Sequence, residues 1–592
     1  MCGIAAIYSY RGRPVDDAEL HASRDQMRSR GPDGEGLWLS DDRQVALGHR
    51  RLSIIDLSPA GSQPMHSSDG RYVIVFNGEI YNYRELRHDL ERRGAHFRST
   101  SDTEVLLELF ARHGADMLRR LRGMFAFAIW DTIDQSLFLA RDPYGIKPLY
   151  YADDGHTIRA ASQVKAILAG GGVATTPDPA GHASFFLWGH IVEPHTLYRE
   201  IRTLPAGSHL MANRHGISGP VPYASVSETM VEAERHPYAV NGSARDYLRE
   251  ALLETVRYHL VADVEVGMFL SSGLDSTTLA ALATEEGGSL RTLTLGFEEF
   301  RGTGNDEVPL AEAVARHYGT DHRTIWISRA EFHAELENVL ANMDQPSTDG
   351  VNSYFVSRAA RQAGLKVAIS GLGGDELFGG YPSFNEIPRF ARWTPSLGRA
   401  GRMLRTAAAP VAKRLTSPKY AGIFEYGGSY EGGYLLRRGF FMPWELPDVL
   451  DPDLAREGWA ELQPLLHLRE TQAELKQPHL RVAALESAWY MRNQLLRDTD
   501  WASMAHSLEV RVPLVDWKLL RDVAPLQAAG AAIDKQMMAS TPARPLPEAV
   551  TKRPKSGFFV PVRDWMLEGS DMSPADRGLR GWAKYVYERF VS

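Results

Sequence analysis

The stretch VEVGMFLSSGLDSTTLAALATEEG (264–287) decides how the larger part of this chain folds. It reads as a buried strand, a Ser/Gly loop and the start of a helix. Outward from it the same theme repeats. LRTLTLGF (290–297) is a strand, EVPLAEAVARHYG (307–319) a helix and HRTIWI (322–327) a strand. SYFVSRAARQAG (353–364) and LKVAISG (365–371) supply a further helix and strand. Strands alternating with helices predict βαβ units and a parallel sheet. Beyond residue 385 the sequence reads as mostly helical, punctuated by Pro and Gly.

The loop itself carries chemistry. Backbone N–H groups at a helix start bind phosphate, and serine hydroxyls add donors. Gly273 permits close backbone approach. Asp275 repels phosphate, so it makes sense as a Mg²⁺ ligand facing the same oxygens. A second block, KVAISGLGGDELFGGYPSF (366–384), leaves a strand for a glycine-rich turn and supplies Asp375. Two aspartates plus phosphate oxygens and water suit Mg²⁺. The plainer reading of Asp375 and Glu376 is the capped N-terminus of a helix, and for Glu376 that reading competes seriously.

Bulk properties set the frame. The 592 residues are 44% hydrophobic and 24% charged, with a formal net charge of -8. At roughly 100–200 residues per domain this predicts about three domains. The small negative charge argues against a nucleic-acid binder. There is no apolar run of about 18 residues and no signal-peptide pattern. A cytoplasmic, non-membrane enzyme is the expectation.

The only cysteine is Cys2, in MCGIAAIY. It excludes an internal disulfide framework and a cysteine metal cluster. Removal of Met1 would set its thiol beside its own α-amine, whose pKa near 8 suits a base at neutral pH. Residues 1 to about 165 read as strands with short helices. RYVIVFNGEIYNY (71–83) reads as a strand that turns at Asn77-Gly78, and DTEVLLELFARHG (102–114) as a helix. MFAFAIWD (124–131) and SLFLARD (136–142) predict a hairpin, and AGGGVATTPDPAG (169–181) a linker. The stretch 213–245 has weak periodicity and reads as a loop or insertion.

RGPDGEG (30–36), HRRLSIIDLS (49–58), FNGEIYNY (76–83), TSDTE (100–104) and RDPYGIKPLYY (141–151) occur in an order that resembles glutamine amidotransferase domains of the N-terminal-nucleophile (Ntn) class. Taken singly, Arg51 and Asp102 read as a salt bridge or a helix cap. The resemblance implies that Cys2 attacks the glutamine amide, forms a thioester and releases ammonia. Arg51 would hold the glutamine carboxylate and Asp102 its amino group. Asn77 and the N–H of Gly78 would form the oxyanion hole, with Ile54 and Glu79 beside the substrate.

The loop at 271–276 resembles the PP-loop of enzymes that cleave ATP to AMP and pyrophosphate, with Ser272 in place of a usual glycine. The implied ATP-binding residues are Leu270, Ser271, Gly273, Asp275, Ser276, Leu295, Ser370 and Gly371. The implied Mg²⁺ ligands are Asp275 and Asp375. In RPKSGFFVP (553–561), Lys555 matches a lysine that stabilises charge on the phosphates. NQLLRDTDWASMAHSLEVRVPLVD (493–516) resembles a buttress of that site.

Both sets of motifs, in this order, resemble the glutamine-hydrolysing asparagine synthetase family. The implied fold is a multidomain α/β chain. It has an Ntn-type αββα sandwich at 2–168, a connecting segment at 169–245, a doubly wound parallel-sheet PP-loop domain (adenine nucleotide alpha hydrolase-like) at 246–570 with a mostly helical end, and a tail at 571–592. The implied reaction adenylates a carboxylate with ATP·Mg²⁺ and amidates it with glutamine-derived ammonia, passed within the protein; a homodimer is the family expectation. Aspartate is the default acceptor. Leu372 stands where the family motif has glutamate, and Gln345 where a glutamate often precedes Pro346. Both are expected near the acceptor, which leaves a specialised carboxylate open. Two other classes stay in view: a ring-closing, lactam-forming ligase, and a non-catalytic scaffold.

Overall fold

Every residue of the strand Gly3–Ser9 is buried, and its alternate side chains enter two different cores. Ile4, Ala6 and Tyr8 meet Val73, Val75, Ala126 and Ala128 of a facing sheet. Ala5 and Ile7 meet Leu20 and Ile167, carried by the helices Asp17–Gln26 and Val164–Gly170. Because side chains alternate along a strand, such a pattern makes it an inner layer, with a sheet on one side and helices on the other. The computed structural model describes residues 2–238, 242–395, 397–398, 400–406, 418–553, 565 and 578–591.

The first sheet runs, edge to edge, Ile201–Thr203, Tyr150–Asp153, Thr157–Ala161, Gly3–Ser9, Val45–Arg51 and Gly34–Leu39, all antiparallel. The second runs Gly216–Pro222, Ser208–Asn213, Ser136–Arg141, Gly123–Asp131, Tyr72–Ile80 and Met65–His66. Helices Tyr83–Arg92 and Asp102–His113 cover its outer face, placing Leu86, Leu90, Val105 and Leu106 against Ile74 and Phe76. This is the αββα sandwich.

Three expectations need correction. Asn77 and Gly78 do not turn; the strand Tyr72–Ile80 runs through them, paired with Ala126 and Phe125. Gly78 is there because a Cβ would strike the Met124 carbonyl oxygen. Nor are residues 201–222 a connector. They lend three strands to the two N-terminal sheets. Ser208–Asn213 alternates buried and half-buried residues, a period of two that the polar composition of SHLMAN hides. The stretch read as a loop also holds the helix Val226–Arg235.

The third sheet is parallel, in the order Asp321–Ile327, Arg291–Phe297, Val266–Phe269, Val367–Ile369, Glu509–Arg511. The chain starts at the middle strand, moves to one edge, then returns to fill the other side. The order therefore reverses between Val266–Phe269 and Val367–Ile369. A crevice opens at the carboxyl ends of strands flanking such a switch point, and both glycine-rich blocks leave from those ends.

The two halves share a broad junction. The helix Pro179–Trp188, begun by the N-cap Asp178 inside the expected linker, is buried along its whole length and packs on Pro452–Leu462. Gly458 lets them cross closely, since a Cβ there would meet Ala183 Cβ at 2.7 Å. Arg122 Nε donates to Asp516 at 2.8 Å and Lys366 Nζ to Asp33 at 2.7 Å across the same junction.

Candidate active sites

The strand Gly3–Ser9 begins at the end of the sandwich where Arg51 leaves its own strand, with Gly3 opposite Arg50. That register places Cys2 in a cavity of about 30 Å³ lined also by Arg51, Leu52, Ile54, Gln63, Gly78, Glu79, Ser101, Asp102 and Thr103. Asn77 completes the group: its Oδ1 accepts from the Cys2 backbone nitrogen at 2.9 Å. Its Nδ2 is buried and has no hydrogen-bond partner among the described residues. A buried donor left open beside a nucleophile is what an oxyanion hole requires. So the six residues expected around Cys2 converge there.

Local chemistry fixes the cavity walls. The Arg51 guanidinium is aimed by the carbonyl oxygens of Asp56 and Ser58, and Gly61 leaves room for it. Asp102 opens its helix behind the N-cap Ser101, and the Ile80 N–H donates to its Oδ2 at 3.0 Å. Burial nevertheless pushes the Asp102 carboxyl up to about 6. Burial also raises the Cys2 thiol above its ordinary value. Gln63, which the sequence reading passed over, ties Thr103 to the Phe76 N–H and so holds two walls together.

Glu79 meets the other half of the chain. Arg511 Nη2 lies 3.5 Å from Glu79 Oε2, while its Nε donates to Glu509 at 2.6 Å. The guanidinium serves Glu509 first. Burial and the Glu509 charge then push the Glu79 carboxyl well upward.

The second site lies at the switch point, in a cavity of about 600 Å³. Leu270, Ser271, Gly273, Asp275, Ser276, Leu295, Ser370, Gly371 and Asp375 all line it. Ser276 Oγ and Ser271 Oγ lie 2.8 Å apart, closing the loop on itself. Gly371 lets the two blocks touch, since a Cβ there would meet the Ser276 nitrogen at 3.0 Å. Lys555 lies outside the described residues. The structure instead sets Lys535 in the cavity, bonded to Asp275 and 2.5 Å from Asp375. Burial works against this ammonium, but the two carboxylates outweigh it and hold its pKa above the ordinary lysine value. IDKQMM (533–538) offers one weak signal for it, an N-cap aspartate opening a short helix, Lys535–Ala539.

The aspartate pair fits a magnesium ion. Both carboxylates already converge on one cation, their oxygens are hard donors, and glycines cradle them. A Cβ at Gly374 would meet Asp275 Cγ at 2.7 Å. Among the described residues no group of three His, Cys, Asp or Glu side chains forms a metal cage. Leu372 lines the cavity as expected, but Gln345 does not. Its Nε2 donates to Tyr150 of the sandwich at 3.3 Å, so its place is the domain junction.

Comparison with known proteins agrees with this pairing of sites. Residues 1–224 match the profile of the glutamine amidotransferase domain, and residues 247–579 match asparagine synthase. The chain belongs to the asparagine synthase family. Members of this family similar to it include asparagine synthetase [glutamine-hydrolyzing] 1 of Bacillus subtilis, 32% identical over 96% of this chain and 88% of that one. A Mycobacterium tuberculosis chain provisionally named a glutamine-hydrolysing asparagine synthetase is 35% identical over 96% and 89%. Amidase chry2 of Gibberella zeae is 32% identical over 65% of this chain and 60% of its own. As an asparagine synthase family member the chain is a carbon–nitrogen ligase. No described helix is long and apolar enough to cross a membrane.

Proposed function

We propose that the chain is an ATP-dependent glutamine amidotransferase that turns a carboxylate into an amide. The observation that carries the reading is the presence, in one chain, of a nucleophile beside an open buried donor and a phosphate loop facing two convergent aspartates. Once Met1 is removed, the Cys2 α-amine takes the thiol proton and the sulfur attacks the glutamine amide carbon. Asn77 Nδ2 and the Gly78 N–H receive the developing oxyanion. Ammonia leaves, and water releases glutamate from the thioester. Arg51 and Asp102 hold the two ends of the amino acid.

At the switch point the acceptor carboxylate attacks the α-phosphorus of ATP, giving an acyl-adenylate and pyrophosphate. Ammonia then displaces AMP and leaves the amide. Ser271, Gly273 and Ser276 bind phosphate oxygens, and Leu270, Leu295, Ser370 and Gly371 hold the adenosine. Asp275 and Asp375 would hold Mg²⁺, which offsets phosphate charge. Lys535 supplies a fixed cation to the same oxygens. A cytoplasmic homodimer belongs to this reading on family grounds alone.

Aspartate is the default acceptor. One observation favours a specialised one: Leu372, lining the cavity where the family motif carries glutamate, can neither take a proton nor pair with a cation. The ring-closing alternative has no use for Cys2, Arg51, Asn77 and Asp102, and all four are in place. The test is pyrophosphate release with ATP, Mg²⁺, glutamine and a panel of carboxylates that includes aspartate. Turnover that needs both an acid and a nitrogen donor is expected. Steady release with neither glutamine nor ammonia would reinstate the ring-closing ligase, and undetectable ATP binding the scaffold.

A further inference from the structure

The cavity at the switch point has lining that neither nucleotide nor metal uses. Asp349, Leu372, Glu376 and Asp498 belong to it. Asp349 precedes the helix Val351–Gln362, and Asp498 sits in the first turn of the helix Arg497–Met504. Gly350, at φ +91°, seats the first against the second: a Cβ there would meet Trp501 Cζ2 at 2.6 Å and Asp498 Cβ at 3.1 Å. Both carboxylates thus line one cavity, near enough for the Asp349 charge to act on Asp498.

Their surroundings donate hydrogen bonds to Asp498 but compensate its charge only in part. Asp498 is 3% exposed. It accepts from Ser347 Oγ at 2.7 Å and Trp501 Nε1 at 2.8 Å, both donors to the ionised form. Burial and the neighbouring Asp349 nonetheless push its carboxyl up to about 7. An independent observation comes from Glu376, which is 1% exposed and lines the same cavity. Its Oε1 accepts from Tyr381 at 2.8 Å, but Oε2 is buried with no hydrogen-bond partner among the described residues. The only cations among the described lining residues are Lys535 and Arg553. Lys535 is engaged by Asp275 and Asp375, and Arg553 by Ser272 and Glu307.

We propose that Asp349 and Asp498 form an ammonium subsite, and that the acceptor is a carboxylate bearing a protonated amine and no second acid. The inference rests on the amidation reading and names its substrate class. An ammonium carries three donors and one positive charge, which this wall of acceptors lacks. A second carboxylate would lie among three acids while both lining cations are already engaged, and like charges in a shielded site repel strongly.

The test is pyrophosphate release with ATP, Mg²⁺ and ammonium chloride, which bypasses Cys2. The acceptors are ω-amino acids of graded length, each beside the same acid without its amine, together with aspartate and succinate. The expected result is that the best amino acid exceeds its deaminated partner by about 100-fold in kcat/KM, because a site built for donors is left unpaired without them. It should also exceed aspartate. In Asp498→Asn the amine preference should fall towards one. Being a ratio measured on a single preparation, it is insensitive to any misfolded fraction. Equal use of amino and deaminated acids, aspartate as the best acceptor, or an unchanged ratio in Asp498→Asn would overturn the subsite alone. No release with any acid would instead sink the amidation reading, and the subsite with it.

Discussion

Arg30 and Asp500 form a two-pronged ion pair across the domain junction, Nη1 to Oδ2 at 2.7 Å and Nη2 to Oδ1 at 3.1 Å. Arg30 Nε donates at the same time to the Cys2 carbonyl at 3.0 Å. The guanidinium is fully buried and Asp500 is 5% exposed. One cation therefore ties the nucleophile's own backbone to the helix Arg497–Met504, whose first turn also lines the synthetase cavity. The fork geometry of arginine is what allows three bonds in two directions.

Removing one partner of such a pair leaves the other charge buried and unpaired. Asp500→Ala should destabilise the protein by about 3–5 kcal/mol. It should also slow glutamine hydrolysis by about tenfold or more, although Asp500 lies in the other half of the chain, because the Cys2 carbonyl loses its fixed partner. Denaturant unfolding and glutamate release check both. A loss below about 1 kcal/mol would mean that water compensates the charge and the tie is not structural.

Cys2→Ala should abolish glutamine use while ammonia-driven synthesis persists. The phosphate loop, Lys535 and the aspartate pair occupy a separate cavity from Cys2, with separate linings. Parallel assays with glutamine and with ammonium chloride decide it. Loss of both activities would show that the thiol supports the synthetase site as well, against the division of labour drawn here.

Asp102 makes glutamine binding depend on pH in a definite direction. Its carboxyl, raised to about 6 by burial, is ionised above that value and neutral below it. Only the ionised form pairs with the substrate ammonium. The affinity of Cys2→Ala for glutamine, measured at equilibrium so that no chemistry intrudes, should therefore weaken about tenfold per unit of pH below about 6. Asp102→Asn should bind weakly at every pH. A Cys2→Ala profile that is flat down to about pH 4 would remove Asp102 from the amino-group contact.

The sequence was most informative where chemistry is local. The Ser/Gly loop at 271–276 carries its own strand, turn and helix, so its place between a strand end and a helix start could be read from 264–287 alone. Cys2, Arg51, Asn77 and Asp102 come from four separate segments, and only the order of their motifs pointed to one pocket. What escaped was long-range. Ser208–Asn213 is a strand because Ser136–Arg141 would otherwise be left as an unpaired edge, not because SHLMAN favours one. Gly78 looked like a turn because the Met124 carbonyl that demands a glycine lies 46 residues away on the neighbouring strand. Lys535 stands 260 residues from Asp275 in the chain, so no local pattern links the two.

Lys535 bears on the last prediction because it and a metal ion would compete for the same oxygens. Its ammonium bonds Asp275 and lies 2.5 Å from Asp375 Oδ1. Lys535→Met removes that cation and leaves two carboxylates facing each other. Pyrophosphate release should fall by about 10²–10³, the usual cost of losing a fixed charge at a developing anion. Glutamine hydrolysis at the separate Cys2 cavity should persist. Without nucleotide, the variant should bind Mg²⁺ more tightly than the parent protein, since a cation that competes for the same oxygens is then gone. Calorimetric titration with magnesium alone reads this directly. Weaker magnesium binding in Lys535→Met would mean that the lysine orders the aspartates rather than competing for them, and the pair would then lose its place as the metal's ligands.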